Sequence, residues 1–296
     1  MPVIDHRNVL KGLTVAEARR RQVVHLPQEA NLEKAIRYAV KYKVNAILVT
    51  DAQQRALGVV SKTDLMGAYY AGLPLKTPVA AIMVGPPRFC HLHDSLDAAL
   101  DLMRQSGIHR LYVREDVPDL AVGVLAHPDI VGLLYRYCRR CDRSILRPGK
   151  GERQGGREDH FRVREVMTAK VTSFPEDASL MEVMEGLAAH RLAAVLIKSP
   201  AGLPTGVVSK TDLILAYKHG LSAEVPAKTI MNAPVQDCDQ DEYLALAIQQ
   251  MIFADIHRVF VCKGDPGEIV GVLSLSDAAR FRSGTCRACL VSRMAV

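Results

Sequence analysis

The sequence predicts an α/β protein of four β-α-β-β-α units, arranged as two modules. Three observations carry this. The segment Gly58-Val59-Val60-Ser61-Lys62-Thr63-Asp64-Leu65 returns as Gly206-Val207-Val208-Ser209-Lys210-Thr211-Asp212-Leu213, 148 residues later. A looser version, Gly123-Val124-Leu125-Ala126-His127-Pro128-Asp129, returns at the same spacing as Gly271-Val272-Leu273-Ser274-Leu275-Ser276-Asp277. Each copy then reads as a glycine, a short β-branched or aliphatic strand, a Ser/Thr/Asp cluster fit to cap a helix, and an apolar helix. Four copies in two pairs form an internal repeat, and units of about 60 residues are too small to bury both faces of their helices alone.

Residues 1–14 read as an irregular lead-in, followed by the basic run Arg19-Arg20-Arg21. Val23-Val24 opens a short strand and Pro27 stops it. Asn31 caps a helix over 32–43, because Leu32, Ala35, Ile36, Ala39 and Val40 fall on one face. The strand Ala46 to Val49, a turn through Asp51 to Gln54, the Gly58 strand and the Leu65 helix complete the unit. The second unit follows Ala81-Ile82-Met83 with a helix over 94–107, the strand Arg110 to Val113, the Gly123 strand and a final helix to about Cys141. Residues 142–162, rich in Gly, Arg and Pro, read as a flexible basic linker, after which the first half begins again. Val23 maps to Val171, Pro27 to Pro175, Leu32 to Leu180, Met83 to Met231 and His109-Arg110 to His257-Arg258 without a gap. The units are expected over 18–78, 83–141, 166–226 and 231–289.

The net charge of +6 would suit nucleic acid, but residues 136–164 hold ten Arg/Lys against four Asp/Glu, which is the whole surplus. No aromatic stacking pattern accompanies that segment, so nucleic acid is not an expected partner. No run of 18 apolar residues occurs, and the first residues lack the basic-then-apolar order of a signal peptide, so a cytoplasmic chain off the membrane is expected. Among seven cysteines, Cys90, Cys138 and Cys141 repeat at the same spacing as Cys238, Cys286 and Cys289. Two Cys-x-x-Cys pairs supply the four soft ligands that zinc or an iron–sulfur cluster requires. Duplicated packing cysteines and thiol redox chemistry remain the other two readings. There is no nucleophile elbow, P-loop, dinucleotide glycine fingerprint or metal-hydrolase histidine spacing, which argues against an enzyme.

The four Gly-x-x-Ser-x-x-Asp-like segments, the Met83 and Met231 openings and Val166-Met167-Thr168 together resemble the cystathionine-β-synthase (CBS) domain family. Within it, His190-Arg191 and His257-Arg258-Val259-Phe260-Val261 look like the His-Arg strands of the nucleotide-sensing γ subunits of AMP-activated protein kinase. The resemblance implies four CBS domains in two Bateman modules whose clefts take adenosyl ligands. In such clefts the Asp accepts from ribose hydroxyls, Ser or Thr lies beside the sugar and phosphate, and basic residues hold the phosphate, roles that fit their chemistry.

Carried over by residue, the resemblance implies that Ser61, Thr63 and Asp64 form a cleft with His109 and Arg110. Ser209, Thr211 and Asp212 would form another with His257 and Arg258, and Ser274 and Asp277 a third with His190 and Arg191. The fourth keeps Asp129, but Ala126 replaces the hydroxyl, Pro128 removes a backbone donor, and Lys43 and Asn45 stand opposite. The function expected is that of a regulatory, energy-sensing protein that binds AMP, ADP or ATP and signals to an effector protein, with a homodimer as the assembly to test. The alternative is a metal- or redox-responsive interaction protein acting through Cys138, Cys141, Cys286 and Cys289.

Overall fold

The computed structural model describes residues 10, 12–117, 119–141, 144–146 and 160–280. After a single turn, α1 (Val15–Ala18), the first unit runs β1 (His25–Pro27), α2 (Leu32–Lys41), β2 (Ala46–Thr50), β3 (Ala56–Ser61) and α3 (Lys62–Tyr70). The second runs β4 (Phe89–His91), α4 (Leu96–Gln105), β5 (Arg110–Arg114), β6 (Gly123–Ala126) and α5 (His127–Arg140). The third has β7 (Ser173–Pro175), α6 (Leu180–Ala189), β8 (Ala194–Lys198), β9 (Pro204–Ser209) and α7 (Lys210–Lys218). The fourth has β10 (Asp237–Asp239), α8 (Leu244–Phe253), β11 (Arg258–Lys263), β12 (Asp265–Ser274) and α9 (Leu275–Arg280). The mixed α/β architecture is thus the one expected. In each three-stranded sheet the first strand pairs parallel with the second and the third antiparallel to it.

Local chemistry sets the corners. The Asn31 side chain accepts from the Lys34 amide at 2.9 Å and caps α2, and Ser95 caps α4 in the same way. Each unit's first helix is followed by a residue in the left-handed region: Lys43 (φ 50°), Gly107 (φ 63°), Arg191 (φ 52°) and Asp255 (φ 54°). That reversal ends the helix and drops the chain into its second strand. Lys43 therefore lies beyond α2 and not inside it as expected, and β1 begins at His25, with Pro27 as its last residue.

Lead-in segments tie the units into pairs. Val84, ahead of the second unit, exchanges backbone hydrogen bonds with Val59 of the first, while Arg20, ahead of the first, does so with Val124 of the second. Asn232 with Val207 and Thr168 with Val272 repeat this exchange in the other half. The expected irregular lead-in is packed structure from Leu10 onward, with Leu10 and Leu13 buried beside α4 and α5. At the end of the basic linker His160 and Phe161 are also buried, so that end belongs to the packed fourth-unit core. Most of the linker lies outside the described residues.

The two modules meet through their last helices. α3 packs on α7, and one core joins units 1 and 3, running through Ile36, Leu65, Met66, Leu213 and Ile214. Tyr69 and Tyr217 stack at 5.1 Å across this seam, and the Tyr69 hydroxyl donates to the Leu221 carbonyl at 2.8 Å. α5 packs on α9 at the other end, carrying Val131 and Tyr135 into the core of unit 4.

Because the first and third units share one core, damage in one should be felt in the other. Leu213→Ala, at a fully buried position, is expected to cost about 2–5 kcal/mol. Hydrogen exchange should show faster opening of β2 in unit 1 as well as β8 in unit 3. Faster exchange confined to unit 3 would contradict the shared core.

Candidate functional site

Each unit's third strand ends where its last helix begins, and a Ser/Asp pair closes the corner in three units. Ser61 Oγ donates to Asp64 Oδ2 at 2.6 Å, and the Ser61 amide reaches the same oxygen at 2.7 Å. Ser209 and Asp212 repeat these contacts at 2.6 and 2.7 Å, and Ser274 and Asp277 at 2.6 and 2.9 Å. The capping use of these residues is therefore real, yet it engages only one carboxylate oxygen. The other oxygen separates the clefts. At Asp212 it accepts from Asn232 Nδ2 at 2.8 Å, and at Asp129 it is ion-paired with Arg20 Nε at 2.8 Å. Among the described residues no side chain hydrogen-bonds Oδ1 of Asp64 or Asp277. Asn232 and Arg20 occupy the lead-in position that Val84 and Thr168 fill in the other two clefts.

Two lysines that the sequence reading passed over lie at the centre. Lys62 Nζ donates to Thr211 Oγ1 and Lys210 Nζ to Thr63 Oγ1, both at 2.8 Å, so each amine crosses to the opposite module. Burial pushes Lys62 down to about 8, with Asp212 opposing and Arg110 assisting, and lowers Lys210 likewise, with Arg258 assisting and Asp64 opposing. At the α5–α9 seam the corresponding contact is His127 Nδ1 with Ser276 Oγ at 3.2 Å. The signal for the lysines was the identical Ser-Lys-Thr-Asp in both copies, which puts Lys beside Thr wherever the two helix starts face each other.

The His-Arg pairs lie differently from expectation. Arg110 pairs across the sheet with Ala126, and Arg258 with Ser274, because each opens the strand antiparallel to the one leading into its own capped helix. Arg258 consequently stands beside Asp277 of its own unit, and Arg110 faces Asp129 while donating through Nη1 to the Ala46 carbonyl. Ala46 and Ala194 hold the corresponding positions opposite Ser61 and Ser209. Asp64 and Asp212 thus receive Lys210 and Lys62 from the opposite module in place of Arg110 and Arg258.

His109 reaches toward Asp277 and Arg280 of unit 4, and the His257 ring faces Lys62, Arg258 and Arg20. Both rings are open to solvent on one side, yet desolvation is the largest cause lowering their pKa, followed by the neighbouring cations.

His190 and Arg191 do not lie on a strand. His190 is the C-cap of α6 and Arg191 occupies the left-handed turn, both exposed, and β8 begins only at Ala194. The structural counterpart of Arg191 is Lys43, so the letters matched the wrong register. Lys43 in turn leaves the Asp129 cleft and ion-pairs with Asp255 of unit 4.

Of the cysteine quartet, Cys138 is buried in the last turn of α5 and Cys141 caps that helix, while Cys286 and Cys289 lie outside the described residues. Among the described residues no group of three or more His, Cys, Asp or Glu side chains is placed to hold a metal ion. Burial pushes Cys90 and Cys238 up to about 12, as for packing thiols. No helix among the described residues is long and apolar enough to cross a membrane.

The sequence matches the CBS domain over residues 15–71, 79–136, 163–219 and 227–284. A structure from Methanocaldococcus jannaschii, described as a candidate archaeal homologue of γ-AMPK, aligns at a TM-score of 0.75 with 14% identity, covering 91% of this chain and 99% of that one. An uncharacterized conserved protein from Pyrococcus horikoshii aligns at 0.59 with 16% identity over 91% of this chain and 100% of its own. A CBS domain protein from Pyrobaculum aerophilum, solved with AMP, covers 46% of this chain at 28% identity and a TM-score of 0.38. Among curated proteins, none matches this sequence.

His127 provides a pH test of this geometry. Burial, then His109 and Arg280, push it down to about 4, below the ordinary 6.5. The unfolded chain therefore takes up the proton first as pH falls. Its contribution is complete above about 6.5 and is lost progressively toward pH 4, for a total of about 2–3 kcal/mol. In His127→Leu, which copies Leu275 of the fourth unit, denaturant titrations at pH 7 and pH 4.5 should differ by about 2 kcal/mol less than in the parent protein. An unchanged difference would contradict the buried neutral histidine.

Proposed function

The chain belongs to the CBS domain family, and from that premise we propose that it is a regulatory protein that binds an adenine nucleotide and passes occupancy to a partner protein as a change at the seam between its modules. The carrying observation is the cleft on Asp277. One oxygen of that carboxylate is held by Ser274, the other meets no side-chain partner among the described residues, and the half-buried Arg258 stands beside it with His109 and Arg280 close by. A carboxylate is the natural acceptor for vicinal ribose hydroxyls, and a fixed guanidinium offers a planar fork to phosphate.

Ranking follows from the same chemistry. The Asp277 cleft should bind most tightly. The Asp64 cleft keeps Ser61, Thr63 and an open oxygen but draws its cation, Lys210, from the other module. The Asp212 cleft, with Ser209 and Thr211, must first displace Asn232. Since Lys62 and Lys210 hold Thr211 and Thr63 across the seam, a phosphate that draws either amine away loosens a contact between modules, which gives occupancy a mechanical consequence. The role is one of binding and relay, not of catalysis.

Calorimetry with AMP tests this reading. Asp277→Asn should weaken the tightest site by about 1.5–3 kcal/mol, roughly ten- to hundred-fold, whereas Asp129→Asn should leave it unchanged. Adenosine should bind more weakly than AMP, and Arg258→Met should abolish most of that difference. Affinity for AMP should also rise as pH falls toward the lowered value of free His109, because a bound phosphate favours the protonated imidazole that burial and the neighbouring cations disfavour in the free protein. Equal affinity of adenosine and AMP would refute the phosphate assignment.

A further inference from the structure

The helices that cover the core shared by units 1 and 3 carry a charge pattern that their own packing does not use. α2 packs on α7 and α6 on α3, with α3 against α7 between them, so the two units contribute repeat-related halves to one helical layer. The exposed Tyr70 hydroxyl of α3 donates to Glu185 Oε1 of α6 at 2.8 Å, which joins the outer sides of these helices in one surface. Duplication alone would make the halves alike. Instead Lys34, Arg37 and Lys76 of unit 1 stand at the positions of Glu182, Glu185 and Glu224 of unit 3, each 148 residues on. Lys76 and Glu224 lie in the segments whose carbonyls meet the first turns of α2 and α6, Leu75 with Glu33 and Ala223 with Met181. Lys34 is half-buried, and the other five side chains are exposed.

This surface is therefore basic on one half and acidic on the other, and each half repels itself. Lys34, Arg37 and Lys41 share one side of α2 at spacings of three and four residues, as Glu182 and Glu185 do on α6. Among the described residues none of Lys34, Arg37, Lys41 and Lys76 forms an ion pair. Lys34 and Lys41 lie over the rings of Tyr38 and Tyr42 at 5.8 and 5.3 Å, which orders the basic half without neutralising it. Glu182 is held by Ser179 and Glu185 by Tyr70, and both donors are neutral. Glu33 on α2 and Lys218 on α7 soften the contrast without reversing it. Tyr42 and Tyr70 are 37% and 46% exposed, and tyrosine is a side chain enriched at protein interfaces. On α6 the exposed Ala188 and Ala189 leave room for such rings.

The two halves suit each other but cannot meet within one chain, because both face outward. Between two chains they can. In a closed two-fold pair, α2 of one copy on α6 of the other is repeated as α6 on α2, so each contact is made twice. We propose that this surface binds a second copy of the chain, with α2 of each copy lying on α6 of the other. The pairing does not depend on nucleotide binding.

Sedimentation velocity of the full chain tests it. In about 50 mM salt a dimer with a dissociation constant in the micromolar range is expected, weakened about ten-fold or more in about 0.5 M salt, where exposed charges are screened. Lys34→Glu/Arg37→Glu turns the basic half acidic, and Glu185→Lys/Glu224→Lys turns the acidic half basic. Each variant alone should be monomeric where the parent protein is a dimer. An equal mixture of the two should dimerise again, because each offers the charge that the other has lost. Circular dichroism checks that both variants fold, and if one does not, the other variant and the salt dependence of the parent protein decide. A parent protein that stays monomeric at about 100 µM, a dimer indifferent to salt or to either pair of substitutions, or a mixture that stays monomeric would each overturn the proposal.

Discussion

Lys62 and Lys210 donate to neutral threonine hydroxyls across the module seam, and among the described residues neither amine forms an ion pair. Burying two ammonium groups this way is unfavourable, as the lowering of Lys62 to about 8 records. The packing beneath them offsets the cost. The core shared by units 1 and 3, together with the Tyr69–Tyr217 stack, presses α3 against α7 and leaves the two helix starts nowhere else to go. Given that constraint, every unit's last helix begins at one junction, and the cations that open these helices or their neighbouring strands collect there: Lys62, Lys210, His109, His257 and Arg258. Such a junction favours negative charge, and this is the physical root of the nucleotide reading.

The four corners began as copies and have been made unequal by a few side chains. Lead-in residues made much of the difference: Val84 and Thr168 leave a carboxylate oxygen open, Asn232 covers one with an amide, and Arg20 locks one with a charge. Strand-opening residues made the rest, since Arg110 and Arg258 appear where the other two units have Ala46 and Ala194. Replacement of Lys62 and Lys210 by His127 and Leu275 at the second seam leaves His127 to Ser276 as the polar contact between the two helix starts, and farther along α5 Gln249 Nε2 of unit 4 donates to the Tyr135 hydroxyl.

Much of the fold was legible because duplication writes the same local physics twice. The strand-helix corner follows from Gly, a β-branched run and a capping Ser/Asp, and the order of elements follows from periodicity. Residue allocation was harder. His190-Arg191 carried the right letters but falls before the second strand, where the chain needs a left-handed turn, and only the equivalence of Arg191 with Lys43 exposes this. The family resemblance gives Arg110 and Arg258 to the corner of the paired unit, whereas strand pairing places each beside the corner of its own unit. The roles of Arg20, Lys62 and Lys210 depend on contacts more than 100 residues apart in the chain, such as that of Lys62 with Thr211, and the repeated Ser-Lys-Thr-Asp sets Lys beside Thr without specifying which helix starts face each other.

A crystal structure of the full chain grown with AMP tests the inequality of the clefts most directly. The account predicts an adenine nucleotide with its ribose on Asp277 and its phosphate between Arg258 and His109, while Arg20 remains on Asp129 with no adenine ring beside it. An adenine nucleotide seated on Asp129, with Arg20 displaced and the Asp277 cleft empty, would contradict it.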